Sequence, residues 1–343
     1  MKALVLDDYN KLTYRDFPDP ECEADEVLVR VQACGICGSD VHGMDGSTGR
    51  RIPPIVMGHE ASGVIERVGS EVIGWSVGER VTFDSTIYPL DDWFTLRGKY
   101  NLSDRRRVLG VSCEAYRQHG AFAEYVAVPQ HILHRIPERV TFEQAALVEP
   151  AAVAVHAVEL TPISLADTVV VVGVGVIGLL LVQVLKARGC SQIIAVDRIE
   201  ERLEKACQFG ADVGLNPDRT DVALGVQKLT DQRGADAVFE AVGISPTVNL
   251  AINCLRKGGS LTLIGNLAPQ VEIPLQTIVT REIRLQGSCA IAGEYPAVLR
   301  MIEKGQLDVD AIISNTAPLS EGADWFRRLY DQEPGLLKVI LKP

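Results

Sequence analysis

Along the first 130 residues, apolar and polar positions alternate in short runs. Ala3–Leu6, Val27–Val31, Gly63–Val68, Arg80–Phe83 and Ala123–Val128 each read as a strand, rich in β-branched residues and bounded by glycine, proline or aspartate. Gly74 and Gly78 mark a tight turn into the strand at Arg80. From about residue 153 the rhythm changes. The strand Thr168–Val172 leads through a glycine loop into a helix over Gly178–Arg188, and the strand Gln192–Val196 into a helix over Glu200–Phe209. The short strand Val213–Leu215, a helix over Asp221–Thr230, the strand Ala237–Glu240, a helix over Pro246–Leu255 and the strand Ser260–Ile264 continue the pattern. Such alternation predicts a parallel, doubly wound sheet. Tyr295–Lys304 reads as a helix and Leu336–Leu341 as a last strand that rejoins the first domain. The expected organisation is α/β: a β-rich domain over residues 1–152, a doubly wound domain over 153–290, and a return to the first domain over 291–343.

Composition bounds the chemistry. A chain of 343 residues is too long for one ordinary core, and 47% hydrophobic with 23% charged residues is the make-up of a soluble globular protein. A formal net charge of -11 argues against nucleic acid or an anionic membrane surface as partner. The longest apolar stretch, Val169–Leu185, is interrupted by three glycines and Gln183, so no transmembrane span is expected. The N-terminus turns acidic at Asp7-Asp8, unlike a signal peptide, and the expected location is the cytoplasm. The eight cysteines show no disulfide-framework spacing, and in a reducing compartment most are expected to be free buried thiols. Cys34 and Cys37 form a C-x-x-C, but it follows a strand and contains Gly35, which weighs against a redox pair.

The loop Gly173-Val174-Gly175-Val176-Ile177-Gly178 is a dinucleotide fingerprint in the required strand–turn–helix context. Gly173 permits the turn, Gly175 lets the backbone approach a pyrophosphate, and Gly178 lets helix and strand pack closely. The helix N-terminus, from Val176 and Ile177, then offers free N–H groups to the phosphates. Asp197 ends the next strand, about 20 residues on, where a carboxylate bonds ribose hydroxyls and repels a 2′-phosphate. This favours NAD over NADP, although Arg198 beside it offers a guanidinium to the extra phosphate.

Upstream, Cys37-Gly38-Ser39-Asp40-Val41-His42 precedes Gly58-His59-Glu60-Ala61-Ser62-Gly63. Cys37, His59 and Glu60 are a thiolate, an imidazole and a carboxylate, all suited to zinc. Three protein ligands with a fourth place open are what a catalytic zinc needs. A Lewis-acid metal beside a nicotinamide cofactor reads as alcohol oxidation or carbonyl reduction. His119, His131 and His134 read as surface or packing residues, and His156 in Ala151–Val158 as a core histidine.

Gly58-His59-Glu60 with Gly63, Gly69 and Val72 resembles the signature of zinc-dependent medium-chain dehydrogenases. Cys37–His42 resembles that family's first metal loop, and Leu147-Val148-Glu149-Pro150 the turn before its cofactor domain. Glu149 is similar to the polyol branch, with sorbitol and galactitol-phosphate dehydrogenases; threonine dehydrogenase is a near relative. The resemblance implies a GroES-like catalytic domain and a Rossmann domain. It implies Cys37, His59 and Glu60 as zinc ligands, with Glu149 bound directly or through a water, and Ser39 and His42 as a proton relay. It also implies cofactor contacts from Ile177, Asp197, Arg202, Ile264, Gly265, Asn266, Ser288, Cys289 and Ala290. A homodimer or homotetramer acting on a small polyol-type substrate is expected by the same resemblance. The alternatives are amino-alcohol oxidation of the threonine dehydrogenase kind, or a zinc-free NADPH-dependent quinone or enone reductase.

Two departures sharpen the expectation. Where many members carry four cysteines around a structural zinc, this chain has Pro89, Asp92, Thr95 and Ser103, so one zinc is expected rather than two. The lobe, with Arg105-Arg106-Arg107, should be held by packing and hydrogen bonds. Sorbitol dehydrogenases resemble one another in a tyrosine after the relay histidine and in an Arg-Tyr pair, where Gly43 and Cys289-Ala290 stand here. Arg50 and Arg51 offer charge to a phosphorylated polyol, but an exposed pair is the favoured reading.

Overall fold

The computed structural model describes residues 1–113 and 116–343. The chain folds into two compact units, Met1–Glu149 with Ile291–Gly305 and Val309–Pro343, and Pro150–Ala290 with Gln306–Asp308.

The first unit is built on a seven-stranded sheet. Its path runs Leu133–Arg135, Arg80–Phe83, Glu60–Val68, Glu26–Gly35, Lys338–Lys342, Ile313–Pro318, and Tyr125–Pro129 pairs with the side of Glu26–Gly35. Glu26–Gly35 buries Val27, Val29 and Val31 on one face, the period-2 pattern of a half-buried strand. Leu4, Leu6, Ile65, Phe83 and Phe122 fill the core, where Phe122 meets Phe326 edge-on at 5.6 Å. The last strand joins this sheet with Ile340 opposite Gly35.

The second unit carries a six-stranded parallel sheet in the order Val213–Leu215, Gln192–Val196, Thr168–Val172, Ala235–Glu240, Leu255–Leu263, Arg284–Gly287. The chain leaves Thr168–Val172 in one direction and returns to its other side at Ala235. The strand order therefore reverses there, and such a switch point opens a crevice at the carboxyl ends of the strands. All five residues of Thr168–Val172 are buried, as in a strand covered on both faces.

Several elements differ from the sequence expectation. Arg284–Gly287 is a sixth strand of this sheet; as an edge strand with polar positions it carries no continuous apolar run. Residues 148–159 form a helix where the sequence suggests a turn at Leu147–Pro150 and an apolar stretch over Ala151–Val158, and Gly322–Tyr330 is a further one. The strand expected from Gly63 begins at Glu60, because Glu60 already pairs with Gly35. The glycine-flanked loop after Cys37 is a short helix, Gly38–Gly43. No helix among the described residues is long and apolar enough to cross a membrane.

Candidate metal centre and cofactor loop

Glu26–Gly35 delivers Cys37 to the end of the sheet, where it caps the helix Gly38–Gly43. The Ser39 backbone N–H and hydroxyl both donate to the Cys37 sulfur, at 3.5 and 3.3 Å. On the neighbouring strand Glu60 lies opposite Gly35, with His59 just before it. A Cβ at Gly35 would sit 2.3 Å from Glu60 Oε2, so a larger residue there would push the Glu60 carboxylate from its present place. The fold thus brings donor atoms of Cys37, His59 and Glu60 within 4.8 Å of one another. No other such trio of metal-ligating side chains occurs among the described residues.

The surroundings favour a cation. His59 and Glu60 are buried. Burial alone would depress the His59 pKa, yet the Asp40 carboxylate and Cys37 raise it well above the ordinary value. Asp40 Oδ2 faces His59 Nδ1 at 3.5 Å, leaving Nε2 for a metal. Sulfur, nitrogen and oxygen donors with a carboxylate behind the imidazole form a donor set that fits zinc.

Lys338 is a buried charge at this site that sequence reasoning missed. Its ammonium is 2% exposed and donates to both oxygens of Glu60, at 2.9 and 2.7 Å, and to the Ile36 carbonyl at 2.9 Å. Burial lowers the Lys338 pKa, but Glu60 and Cys37 outweigh it and the net shift is upward. The only signal in the sequence was a lysine inside a predicted core strand, Leu336–Leu341. Arg51 corrects the expectation of an exposed arginine pair. Arg50 is exposed, but Arg51 is 3% exposed and committed to Asp40 at 2.8 Å.

Glu149 lies in the first turn of the helix Val148–Glu159, buried, with Ser85 donating to Oε1 at 2.9 Å. It stands outside the group of three. Burial pushes its pKa up to about 7; His59 and Ser85 oppose the shift and Glu60 adds to it. Ser39 and His42 share one face of the short helix at spacing i, i+3. No hydrogen bond joins their side chains; Ser39 is turned to Cys37. Among the other histidines, His119 packs against Phe17, His131 against Tyr88 and His134 on Tyr295.

The lobe after Tyr88 is tied by its own side chains. Tyr88 and Tyr100 stack at 4.0 Å, and Tyr100 donates to Asp84 at 2.5 Å. Asp92 caps the turn at Phe94, and the Ser103 hydroxyl accepts from the Arg105 N–H. Arg105 pairs with Asp91 on the exposed face. Burial raises the Asp84 pKa to about 6, against the lowering effect of Tyr100 and Thr86. With its folded pKa above the unfolded value of about 3.9, Asp84 favours folding below about pH 4. That contribution fades as pH rises through about 6. Asp84→Asn should therefore gain thermal midpoint relative to wild type between pH 4 and 6 and hold a constant difference above. Parallel melting curves at all pH values would contradict it.

In the second unit, Gly173 has φ +85° and turns the chain out of Thr168–Val172. A Cβ at Gly178 would lie 2.0 Å from the Gly173 carbonyl oxygen, whereas at Gly175 the nearest atom is Arg202 Nη1 at 3.9 Å. The loop is thus packed where packing is expected and open where a pyrophosphate would lie, with Arg202 beside it. The helix Val176–Arg188 has no side-chain cap, which leaves its first N–H groups available. Asp197 accepts from Val174 N–H at 2.9 Å and Ile199 N–H at 3.0 Å, holding the loop against the strand end. Arg198 instead pairs with Asp218 at 2.9 Å. The Ile264 and Gly265 N–H groups donate to the Glu240 carbonyl, which sets Ile264-Gly265-Asn266 beside Gly243. Ser288 follows at the end of the edge strand, its N–H donating to Leu263, and Ala290 adopts φ +52°.

Residues 23–138 match the alcohol dehydrogenase GroES-like domain, and residues 176–304 match the zinc-binding dehydrogenase family. D-arabitol-phosphate dehydrogenase of Enterococcus avium is 33% identical over 97% of this chain and 94% of its own. Sorbitol dehydrogenase of Bacillus subtilis is 32% identical over 100% of this chain and 97% of its own. The crystal structure of galactitol-1-phosphate dehydrogenase from Escherichia coli superimposes with a TM-score of 0.91 at 28% identity, over 100% of both chains. The chain belongs to the zinc-binding alcohol dehydrogenase family, in its polyol dehydrogenase branch. It is a dehydrogenase with a GroES-like domain and a Rossmann domain.

Proposed function

We propose that the protein is an NAD-dependent dehydrogenase that uses one zinc ion to oxidise a secondary alcohol of a polyol or sugar-alcohol phosphate. The observation that carries this reading is the group of Cys37, His59 and Glu60 donors within 4.8 Å. These residues would hold the metal, and Glu149 would act on it through a water. Zinc supplies a Lewis acid that makes a substrate hydroxyl acidic near neutral pH. NAD supplies the hydride acceptor.

The chain's own residues do the rest. Asp40 orients the His59 ring, and Ser39 donates to the Cys37 sulfur. Glu149, buried with Ser85 donating to Oε1, offers its carboxylate to a metal-bound water as a proton acceptor. Ser39 and His42 supply polar groups on the helix face beside Cys37, a route for the departing proton. Gly175, the helix start at Val176–Gly178 and Arg202 bind the pyrophosphate. Asp197 bonds the adenosine ribose, while Ile264–Asn266 and Ser288–Ala290 line the remaining cofactor path. With Arg51 committed to Asp40, only Arg50 of that pair is left for a substrate phosphate. In the lobe, Pro89, Asp92, Thr95 and Ser103 make a poor donor set for a second zinc. The assembly is a homodimer or homotetramer, and the protein works in the cytoplasm on a small molecule, with no nucleic-acid or membrane partner.

The test is a turnover panel of free polyols, polyol phosphates and threonine-type amino alcohols, with NAD and NADP, on zinc-loaded and chelator-stripped protein. Polyol oxidation with NAD that disappears on stripping is expected; full-rate turnover by protein shown to be metal-free would sink the reading. Cofactor choice has its own check. Asp197→Ser removes the carboxylate that repels a 2′-phosphate, so the ratio of NADP to NAD affinity should rise about tenfold or more, roughly 1.4 kcal/mol. An unchanged ratio in calorimetric titrations would assign the preference elsewhere.

A further inference from the structure

Arg51 is buried where a metal-binding site has no obvious need of a second buried cation. Its Nε and Nη2 donate to Asp40 Oδ1, at 3.1 and 2.8 Å. Nη2 also donates to the Ser39 hydroxyl at 3.3 Å, and Nη1 to the Arg50 carbonyl at 3.2 Å. Two branches leave this guanidinium. One passes through Ser39, whose hydroxyl donates to Cys37 Sγ at 3.3 Å. The other passes through Asp40, whose Oδ2 faces His59 Nδ1 at 3.5 Å. We infer that Arg51 is a positioning residue for the metal centre, tying its thiolate and imidazole ligands to one rigid fork, and that position 43 is glycine to admit it. The inference rests on the zinc reading of this site.

The geometry explains why an arginine is required. Asp40 is fully buried, and a carboxylate in that place without a cation is strongly disfavoured. Arg51 takes Oδ1 from two directions, which leaves Oδ2 aimed at His59. His59 Nδ1 and Asp40 Oδ2, 3.5 Å apart, hydrogen-bond to nothing else among the described residues, so a proton on Nδ1 would be directed at Oδ2 and Nε2 left for a metal. By donating to the Ser39 oxygen, the same guanidinium leaves the Ser39 proton directed at the Cys37 sulfur. A lysine ammonium has no planar fork with which to serve both branches in this way. Gly43 is the matching piece: a Cβ there would lie 2.6 Å from Arg51 Cγ. A side chain at 43 and the arginine stem in its present place exclude one another.

The experiment uses the full-length protein. Zinc affinity is measured by chelator competition, the cobalt-substituted form is read by its thiolate-to-cobalt absorption band, and NAD binding serves as the control for folding. Arg51→Met should weaken zinc ten- to a hundredfold and shift the cobalt band while NAD binding is retained. Arg51→Lys should move both readouts in the same direction. Gly43→Val keeps the charge but displaces the stem, and should reproduce the Arg51→Met result. Wild-type zinc affinity and an unshifted cobalt band in Arg51→Met would overturn the inference. Where Arg51→Met fails to fold, Gly43→Val and the double variant Asp40→Asn/Arg51→Met, which removes both partners of the ion pair, decide by the same two readouts. Wild-type protein that binds no zinc overturns the zinc reading itself; zinc-binding wild type matched by these variants overturns only the role of Arg51.

Discussion

Cys37→Ser should lose its zinc and reduce turnover by about a thousandfold or more, while NAD binding stays near the wild-type level. The magnitude is that of several kcal/mol of Lewis-acid stabilisation, about 4 kcal/mol corresponding to a factor of a thousand. The substitution is well suited to separate chemistry from folding. Cys37 is the N-cap of the helix Gly38–Gly43 and accepts from the Ser39 N–H. Serine is a good N-cap and can accept the same bond, so the local backbone has a reason to persist. What serine lacks is the thiolate, and a neutral hydroxyl is a poor zinc ligand. The Rossmann unit, with Gly173, Gly175 and Asp197, is untouched by the change. Metal content by elemental analysis, steady-state turnover and NAD titration therefore give three separate answers. Retained zinc with full turnover would remove Cys37 from the site; loss of NAD binding as well would point to a general collapse.

The residues proposed to carry the chemistry were legible because their types are rare and their spacing is local. Cys37 and His59 stand beside glycines, and Glu60 Oε2 occupies the space that a side chain at Gly35 would take. The cofactor loop was legible for the same reason, since three glycines in six residues between a valine strand and a helix constrain the backbone strongly. What escaped was the support. Lys338 lies 278 residues from Glu60, and no local pattern connects them. Arg51 looked like half of an exposed pair because neighbouring arginines usually are exposed. Only the buried carboxylate of Asp40 and the small volume of Gly43 reveal that one of them turns inward. The same limit applies to Arg284–Gly287, an edge strand whose polar positions hide it from a search for apolar runs. Local sequence therefore reports the candidate ligands and the glycine loop, while the buried counter-charges around them depend on tertiary closure.

Lys338→Met should show how the two are coupled. Its ammonium is the direct cationic partner of Glu60, bonded to both carboxylate oxygens and 2% exposed. Removing one member of a buried ion pair typically costs about 3–5 kcal/mol, because the remaining charge is left without compensation. The metal-free variant should therefore melt well below the metal-free wild type, or take up a proton at Glu60 to avoid the charge. Zinc changes the balance, since a dication beside Glu60 replaces the missing ammonium and no longer competes with it for the carboxylate. The loss of thermal midpoint should accordingly be much smaller for the zinc-loaded pair of proteins than for the metal-free pair. By linkage, zinc stabilises the variant more than it stabilises wild type, because the variant binds it more tightly once no ammonium competes for Glu60. Four melting curves, wild type and variant with and without zinc, measure this coupling directly. Equal losses in the two metal states would mean that Glu60 stays with its own partners and outside the metal's reach. That result would leave Cys37 and His59 to hold the ion with Glu149.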